Sequence, residues 1–228
     1  MLAAADLQVS LRRVGYYRDA LREGEAALDR HISILGERHR QTLLVATNLI
    51  SDRRLVEDFS GAQELGEQTV LAWEKVVGAD HPNTIGARAN LAVALHARNN
   101  PLAARKLNED ALQDFISIFG DRHPSPLVVM MNLASDLAAS GDTNRAREVG
   151  EHALELSREV RGVEHPVTLA AAANLSVDRQ ADGDAAGARD LYEETIELYR
   201  RVLGTEHPEY RLALQRGRVT VDIDLMIV

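Results

Sequence analysis

Histidine, asparagine, aspartate and glutamate recur along this 228-residue sequence at one interval, and each could carry chemistry. His39, His81, His123, His165 and His207 follow one another in steps of 42 residues. A histidine ladder suggests metal ligation, but an ion needs its ligand atoms within about 2.0–2.1 Å. Two helices separate equivalent histidines, and packed helices lie about 8–10 Å apart. Neighbouring copies therefore cannot share an ion, and the histidines read as helix-junction residues, with no metal expected. Glu67, Glu109, Glu151 and Glu193 recur at the same step. Carboxylates on repeating helices read as solvated or ion-paired surface groups rather than an acid–base pair.

Asn48, Asn90, Asn132 and Asn174, each followed by leucine, form the ladder best suited to binding. An amide donates and accepts at once, which matches the needs of an extended peptide backbone. One helical turn on stand Asp52, Asp136 and Asp178, with Ser51 and Ser135 beside them, on the same face. These nine residues are the candidate peptide-binding stripe. Two alternatives stay open: the amides bond a neighbouring helix and fix repeat geometry, and the aspartates pair with arginines such as Arg53 or Arg179. If the aspartates are free, the stripe is acidic and favours a basic partner segment.

The elements that position these side chains follow from the same interval. Gly36, Gly78, Gly120, Gly162 and Gly204 are in phase, as are Ala20, Ala62, Ala104, Ala146 and Ala188. Glycine closes one helix by taking the left-handed cap conformation. His-Pro then opens the next at Pro82, Pro124, Pro166 and Pro208, because proline suits the first helical turn and disfavours helix in the residue before it. The first copy has Arg40 in place of proline, a weaker start. Asn99-Asn100, Gly141-Asp142 and Gly183-Asp184 mark the break between the two helices of a period. The spacing predicts a first helix of about 17 residues (Pro82 to Arg98) and a second of about 19 (Pro101 to Phe119). In the second, the apolar residues Leu107, Ala111, Leu112, Phe115, Ile118 and Phe119 recur at helical spacing. The small alanines suit close helix crossings. Trp73, Phe115 and Tyr199 fall on one recurring site, shared with His31 and Ser157.

A helix pair cannot bury its apolar face alone, whereas stacked pairs can. The expected fold is therefore all-α, a right-handed superhelical solenoid of about five stacked antiparallel helix pairs and a closing helix. Residues 1–217 form the solenoid and 218–228 a C-terminal tail. The closing helix is expected to run from Pro208 to about Arg216. Val219 to Asp224 alternates apolar and polar residues, an extended pattern, and Leu225 to Val228 is purely apolar. The tail reads as a cover over the last helix pair, as a docking peptide for a partner or a second copy, or as a disordered end. Met1 to Leu7 offers an apolar face, from which preceding repeats or an upstream domain of the same chain are expected.

The run Gly162-x-x-His165-Pro166-x-Thr168-Leu169, then Asn174-Leu175, Gly183-Asp184 and Ala188-Arg189, resembles the 42-residue tetratricopeptide repeat of kinesin light chains. Asn132-Leu133-Ala134-Ser135-Asp136-Leu137 is similar to repeats of bacterial NB-ARC and FxSxx-COOH-system tetratricopeptide proteins. Arg40, Pro126 and Ala94 depart from the pattern. The resemblance implies a TPR-like scaffold that grips a peptide or protein segment in its concave groove, where the asparagine position lies in that fold. It also implies an alternative, the sensor or regulatory segment of a larger signalling NTPase.

Composition narrows the function classes. A net charge of −9 disfavours nucleic acid and anionic membrane surfaces as partners. The chain has no cysteine, which removes disulfides and thiol chemistry. It carries no long uncharged apolar run and no signal-peptide pattern, and the cytoplasm is the expected compartment. Phosphate-loop, dinucleotide, zinc-protease and nucleophile-elbow motifs are absent from the sequence. The expectation is a non-enzymatic protein-binding chain without cofactor.

Overall fold

The computed structural model describes residues 2 to 223, with side chains from Leu7 onward. The apolar character expected at Leu2 to Ala5, and the segment from Asp224 to Val228, lie outside the described side chains. Eleven helices occupy the described residues, among which there is no strand. They alternate in length as α1 (Leu2–Arg13), α2 (Tyr17–Leu35), α3 (Arg40–Leu55), α4 (Phe59–Val77), α5 (Pro82–Ala97), α6 (Pro101–Phe119), α7 (Pro124–Ala139), α8 (Thr143–Arg161), α9 (Pro166–Ala181), α10 (Ala185–Leu203) and α11 (Pro208–Leu214). The first helices from α3 to α9 have 16 residues and the second helices 19. This is a TPR-like helical solenoid of consecutive packed pairs.

Two compact units make up the chain, one of residues up to 107 together with 222 and 223, the other of residues 108 to 221. In the first unit α2 packs on α1 and α3, α4 packs on α3 and α5, and α3 also touches α1 and α5. In the second, α8 packs on α7 and α9, α10 on α9 and α11, and α9 also touches α7 and α11. First helices thus meet other first helices as well as their own partners. Their burial follows: α3, α5 and α7 each bury twelve of their 16 residues. The side chains of α7, Leu127 through Leu137, are buried without a break.

Helix ends explain why the period is so regular. All five junction histidines hold an extended backbone, and each ring Nδ1 accepts the backbone N–H two residues on, at 3.1–3.2 Å. The histidine is therefore the N-cap, satisfying one of the donors a helix start leaves open. Arg40 in place of proline does not weaken this geometry, because the cap is made by the histidine before it. The threonine of the His-Pro-x-Thr pattern reaches back to the preceding helix: Thr42 and Thr84 donate to the carbonyls of Gly36 and Gly78, at 2.8 and 2.7 Å. Gly78 sits at φ +95° with open space around a would-be Cβ, so backbone conformation and not crowding demands glycine there.

The ladder alanines Ala20, Ala62, Ala104, Ala146 and Ala188 are all fully buried. So are the occupants of the recurring aromatic site, His31, Trp73, Phe115, Ser157 and Tyr199. Trp73 satisfies its indole N–H on Thr47 Oγ1 at 3.0 Å. Ile118 and Phe119 are exposed, because they lie at the last turn of α6, past the packed stretch. Phe119 instead stacks on His123, ring centroids 4.3 Å apart. The closing helix stops at Leu214, two residues early, where Arg216 takes φ +56° ahead of Gly217 and turns the chain out of helical geometry.

Candidate functional site

The asparagines lie mid-way along α3, α5, α7 and α9. Among the described residues, Asn90, Asn132 and Asn174 bond the backbone of the C-terminal tail, each of them twice. In the second unit Asn174 Nδ2 donates to the Val219 carbonyl at 2.7 Å, and its Oδ1 accepts the Val219 N–H at 2.8 Å. Asn132 repeats the pair on Val221, at 2.7 and 3.3 Å. In the first unit Asn90 does the same to Ile223, at 3.0 and 2.7 Å. A flipped amide would oppose N–H to N–H and C=O to C=O in all three cases, so the pairing fixes the amide orientation.

The register has a geometric cause. In extended chain the N–H and C=O of one residue point to the same edge, and alternate residues share that edge. Asn174 and Asn132 can therefore meet residues 219 and 221 but not residue 220 between them. Two extended residues advance about 6.5 Å, nearer the roughly 8–10 Å between packed helices than any other even step. In the second unit one helix pair thus takes two tail residues.

Side chains add to the backbone bonds. Val219 is buried in the apolar cluster of Leu169, Ala170, Ala173 and Tyr199, with Val221 packed beside it. Arg218 pairs with Asp178. In the first unit Arg54 holds Asp222 at 2.6 Å, and Ile223 is buried.

The predicted stripe residues are placed as follows. Asn48 is buried and its Oδ1 has no partner among the described residues. Ser51 is buried with its hydroxyl equally unpartnered, and Ser135 donates to the Met131 carbonyl one turn back at 3.4 Å. The aspartates are not free charges: Asp52 and Asp136 are met from helices, and Asp178 from the tail. Asp52 accepts from Gln8 and, at 3.2 Å, from Arg12. Asp136 accepts from Asn108 at 2.7 Å, and Asp178 is met by Arg218. The arginines weighed from sequence are engaged elsewhere: Arg179 with Glu151 at 3.2 Å, Arg53 with Glu25 at 3.8 Å. Burial raises the pKa of Asp52 and Asp178, and the neighbouring arginines Arg12 and Arg218 oppose that rise.

Sequence reasoning missed Gln8, Arg12, Arg54, Asn108 and Arg218. Their partners lie between 28 and 168 residues away. The one local signal was the alternation of charged and apolar residues after Gly217. Of the other ladders, the glutamates pair across the surface, as Arg145–Glu109 at 3.6 Å and Arg179–Glu151 show. Among the described residues no three His, Asp or Glu side chains converge as metal ligands would, and no helix is long and apolar enough to cross a membrane.

Against known proteins, three overlapping stretches, residues 45–117, 89–159 and 125–201, match the model of the tetratricopeptide repeat, and together they span well over half the chain. No curated protein sequence matches the chain. Among solved structures, a candidate kinesin light chain of Podosopora anserina with nearly identical TPR-like repeats is similar with a TM-score of 0.65, at 24% identity over 87% of this chain and 94% of that one. A single-substitution variant of it gives a TM-score of 0.67 with the same identity and coverage. BtubC (BKLC) from P. vanneervenii is similar with a TM-score of 0.68, at 16% identity over 86% of this chain and 81% of that one. At these identities the likeness concerns the fold.

Proposed function

We infer that this chain, which belongs to the tetratricopeptide repeat family, is a protein-interaction module whose asparagine ladder grips extended polypeptide by its backbone. Repeats of this family generally mediate protein–protein contacts. One observation carries the finer reading: three asparagines at equivalent repeat positions each donate to and accept from a single residue of an extended segment. An amide that satisfies both backbone groups of a residue does what a neighbouring β-strand would do, without presenting a strand edge. Such contacts read no side chain, so affinity comes from the ladder and selectivity from what lies beside it.

The energetics favour a ligand site over inert packing polarity. Each bond contributes roughly 0.5–1.5 kcal/mol net, and a buried amide stripped of its partner costs roughly 1–3 kcal/mol. A bare ladder must be filled by water or by another backbone. Asp52 and Asp136 are already met from helices, so the ladder's ligand is defined by extended conformation first.

The test is partner capture. Asn90→Ala together with Asn132→Ala should lose capture of an extended peptide partner in a binding titration while far-UV circular dichroism stays helical. Undiminished affinity in that folded double variant would remove the ladder from the binding surface.

A further inference from the structure

We infer, resting on the reading above, that Asp178 is the specificity residue of the asparagine pair in the second unit. The partner it selects is an extended segment with a cation directly before the residue that Asn174 grips, and an apolar residue at each gripped position. Residues 218 to 221 are the resident counterpart of that segment, and the partner binds by displacing them.

Every part of this site lies within residues 108 to 221. Asn174 exchanges two hydrogen bonds with Val219, and Asn132 exchanges two with Val221. On the tail's side those bonds use backbone alone, so another extended backbone replaces them one for one. Val219 is buried among Leu169, Ala170 and Tyr199, with Val221 packed beside it, which sets the apolar positions. Asp178 stands one helical turn beyond Asn174 on α9, and Arg218 one residue before Val219. The two side chains meet as an ion pair.

The repeat shows why this cation must come from outside the helices. Asp136, the counterpart of Asp178 one period earlier, accepts from Asn108 of α6 at 2.7 Å. The position of Asn108 is taken one period later by Gly150 of α8, which has no side chain to donate. A Cβ added at Gly150 would lie 3.7 Å from Asp178 Oδ2, so the glycine does face that carboxylate. Asp178 is buried, and among the described residues no helix side chain bonds it. A buried carboxylate without a donor is costly. Whichever backbone lies on the asparagine pair must therefore bring a cation to this point. Arg218 is partly exposed, so it can leave to water as a partner's cation takes its place.

A tethered tail competes as an intramolecular ligand at an effective concentration on the order of millimolar. The unmodified chain should thus bind a matching peptide weakly, and loosening the tail should strengthen binding. The experiment uses the full chain with Arg218→Ala and Val221→Pro, which removes the resident cation and the N–H that Asn132 accepts. The probe is a fluorescent peptide of residues 217–221, Gly-Arg-Val-Thr-Val, read by anisotropy. The variant should bind it about tenfold or more tightly than the unmodified chain. A peptide with the charge reversed, Gly-Glu-Val-Thr-Val, should bind the variant at least about tenfold more weakly. Adding Asp178→Asn should bring the two peptides to within about twofold of each other.

Equal binding of the two peptides, lost on Asn132→Ala with Asn174→Ala, would overturn the selection by charge and leave backbone gripping intact. A preference that survives Asp178→Asn would overturn the role of Asp178. Binding of neither peptide to a variant with unchanged helicity would overturn the inference and count against the ladder as a peptide site. If the loosened variant does not fold, amide exchange on the unmodified chain decides. The arginine peptide at saturation must accelerate exchange at Val219 and Val221, and the glutamate peptide at the same concentration must not. Unchanged rates with both, or equal acceleration by both, would overturn the inference.

Discussion

Asn132 and Val221, 89 residues apart, exchange two hydrogen bonds, amide to carbonyl and N–H to amide oxygen. The pair has the form of a strand-to-strand contact with a helix side chain in place of one strand. Its recurrence at Asn174 and Asn90 turns a repeat of sequence into a repeat of binding geometry. The charged pairs of the tail, Arg218–Asp178 in one unit and Arg54–Asp222 in the other, follow no repeat. They give the site its individuality.

Asp178 should make the Arg218–Asp178 pair sensitive to pH in a defined sense. Arg218→Ala leaves the buried carboxylate without its cation, and should cost roughly 1.5–3 kcal/mol at neutral pH. Asp178 already titrates above its ordinary value of 3.8 because burial disfavours its charge, and losing Arg218 raises it further. A carboxyl whose folded pKa is raised contributes stability fully below the unfolded value and loses it as pH rises through the folded one. The deficit of the variant should therefore shrink as pH falls from 7 towards 4. Urea melts at the two pH values check this, and an equal deficit at both would contradict it.

The histidine caps carry the opposite dependence. His81 and His123 titrate below 6.5, first through burial and then through the nearby Arg40 and Arg161. Their Nδ1 atoms accept hydrogen bonds only when unprotonated. A depressed histidine pKa gives stability that is present above the unfolded value near 6.5 and lost as pH falls through the folded one. Thermal melts should fall between pH 7 and 5. His81→Asn together with His123→Asn, which keeps a capping acceptor without a titrating ring, should flatten that part of the profile.

Glu57 sits at φ +67°, at the repeat position where Gly15, Gly141 and Gly183 also take positive φ and Asn99 takes +61°. A side chain other than Gly, Asn or Asp costs roughly 1–2 kcal/mol in that conformation. Glu57→Gly should raise stability, by about 0.5–1 kcal/mol once the freer unfolded chain is counted. Differential scanning calorimetry would show a higher midpoint; a lower one would mean that the strain at Glu57 is not the governing factor.

Trp73 is fully enclosed among Leu43, Leu44, Val70, Leu91 and Leu95, with its indole N–H on Thr47. Trp73→Ala should cost about 3–5 kcal/mol through lost contact and the cavity left behind. Trp73→Phe, which fills most of the volume but orphans no indole donor, should cost less. Chemical denaturation of both variants measures the difference.

The 42-residue interval by itself determined the helix pairs, their starts at histidine and their ends at glycine. These are local rules: a cap, a positive φ and an apolar face are set by residues within a turn or two of one another. The interval also singled out Asn48, Asn90, Asn132 and Asn174, because a polar residue kept in register through the middle of buried helices needs a partner. Only the tertiary structure supplied that partner. Which backbone meets Asn90, 133 residues before Ile223, depends on folding the tail across helices distant in sequence. The same holds for the aspartates, whose charge looked available until Arg12 and Arg218 were brought to them. Periodicity is written in short-range geometry, whereas the pairing of an extended segment with a ladder is a long-range contact for which no local spacing is a signature.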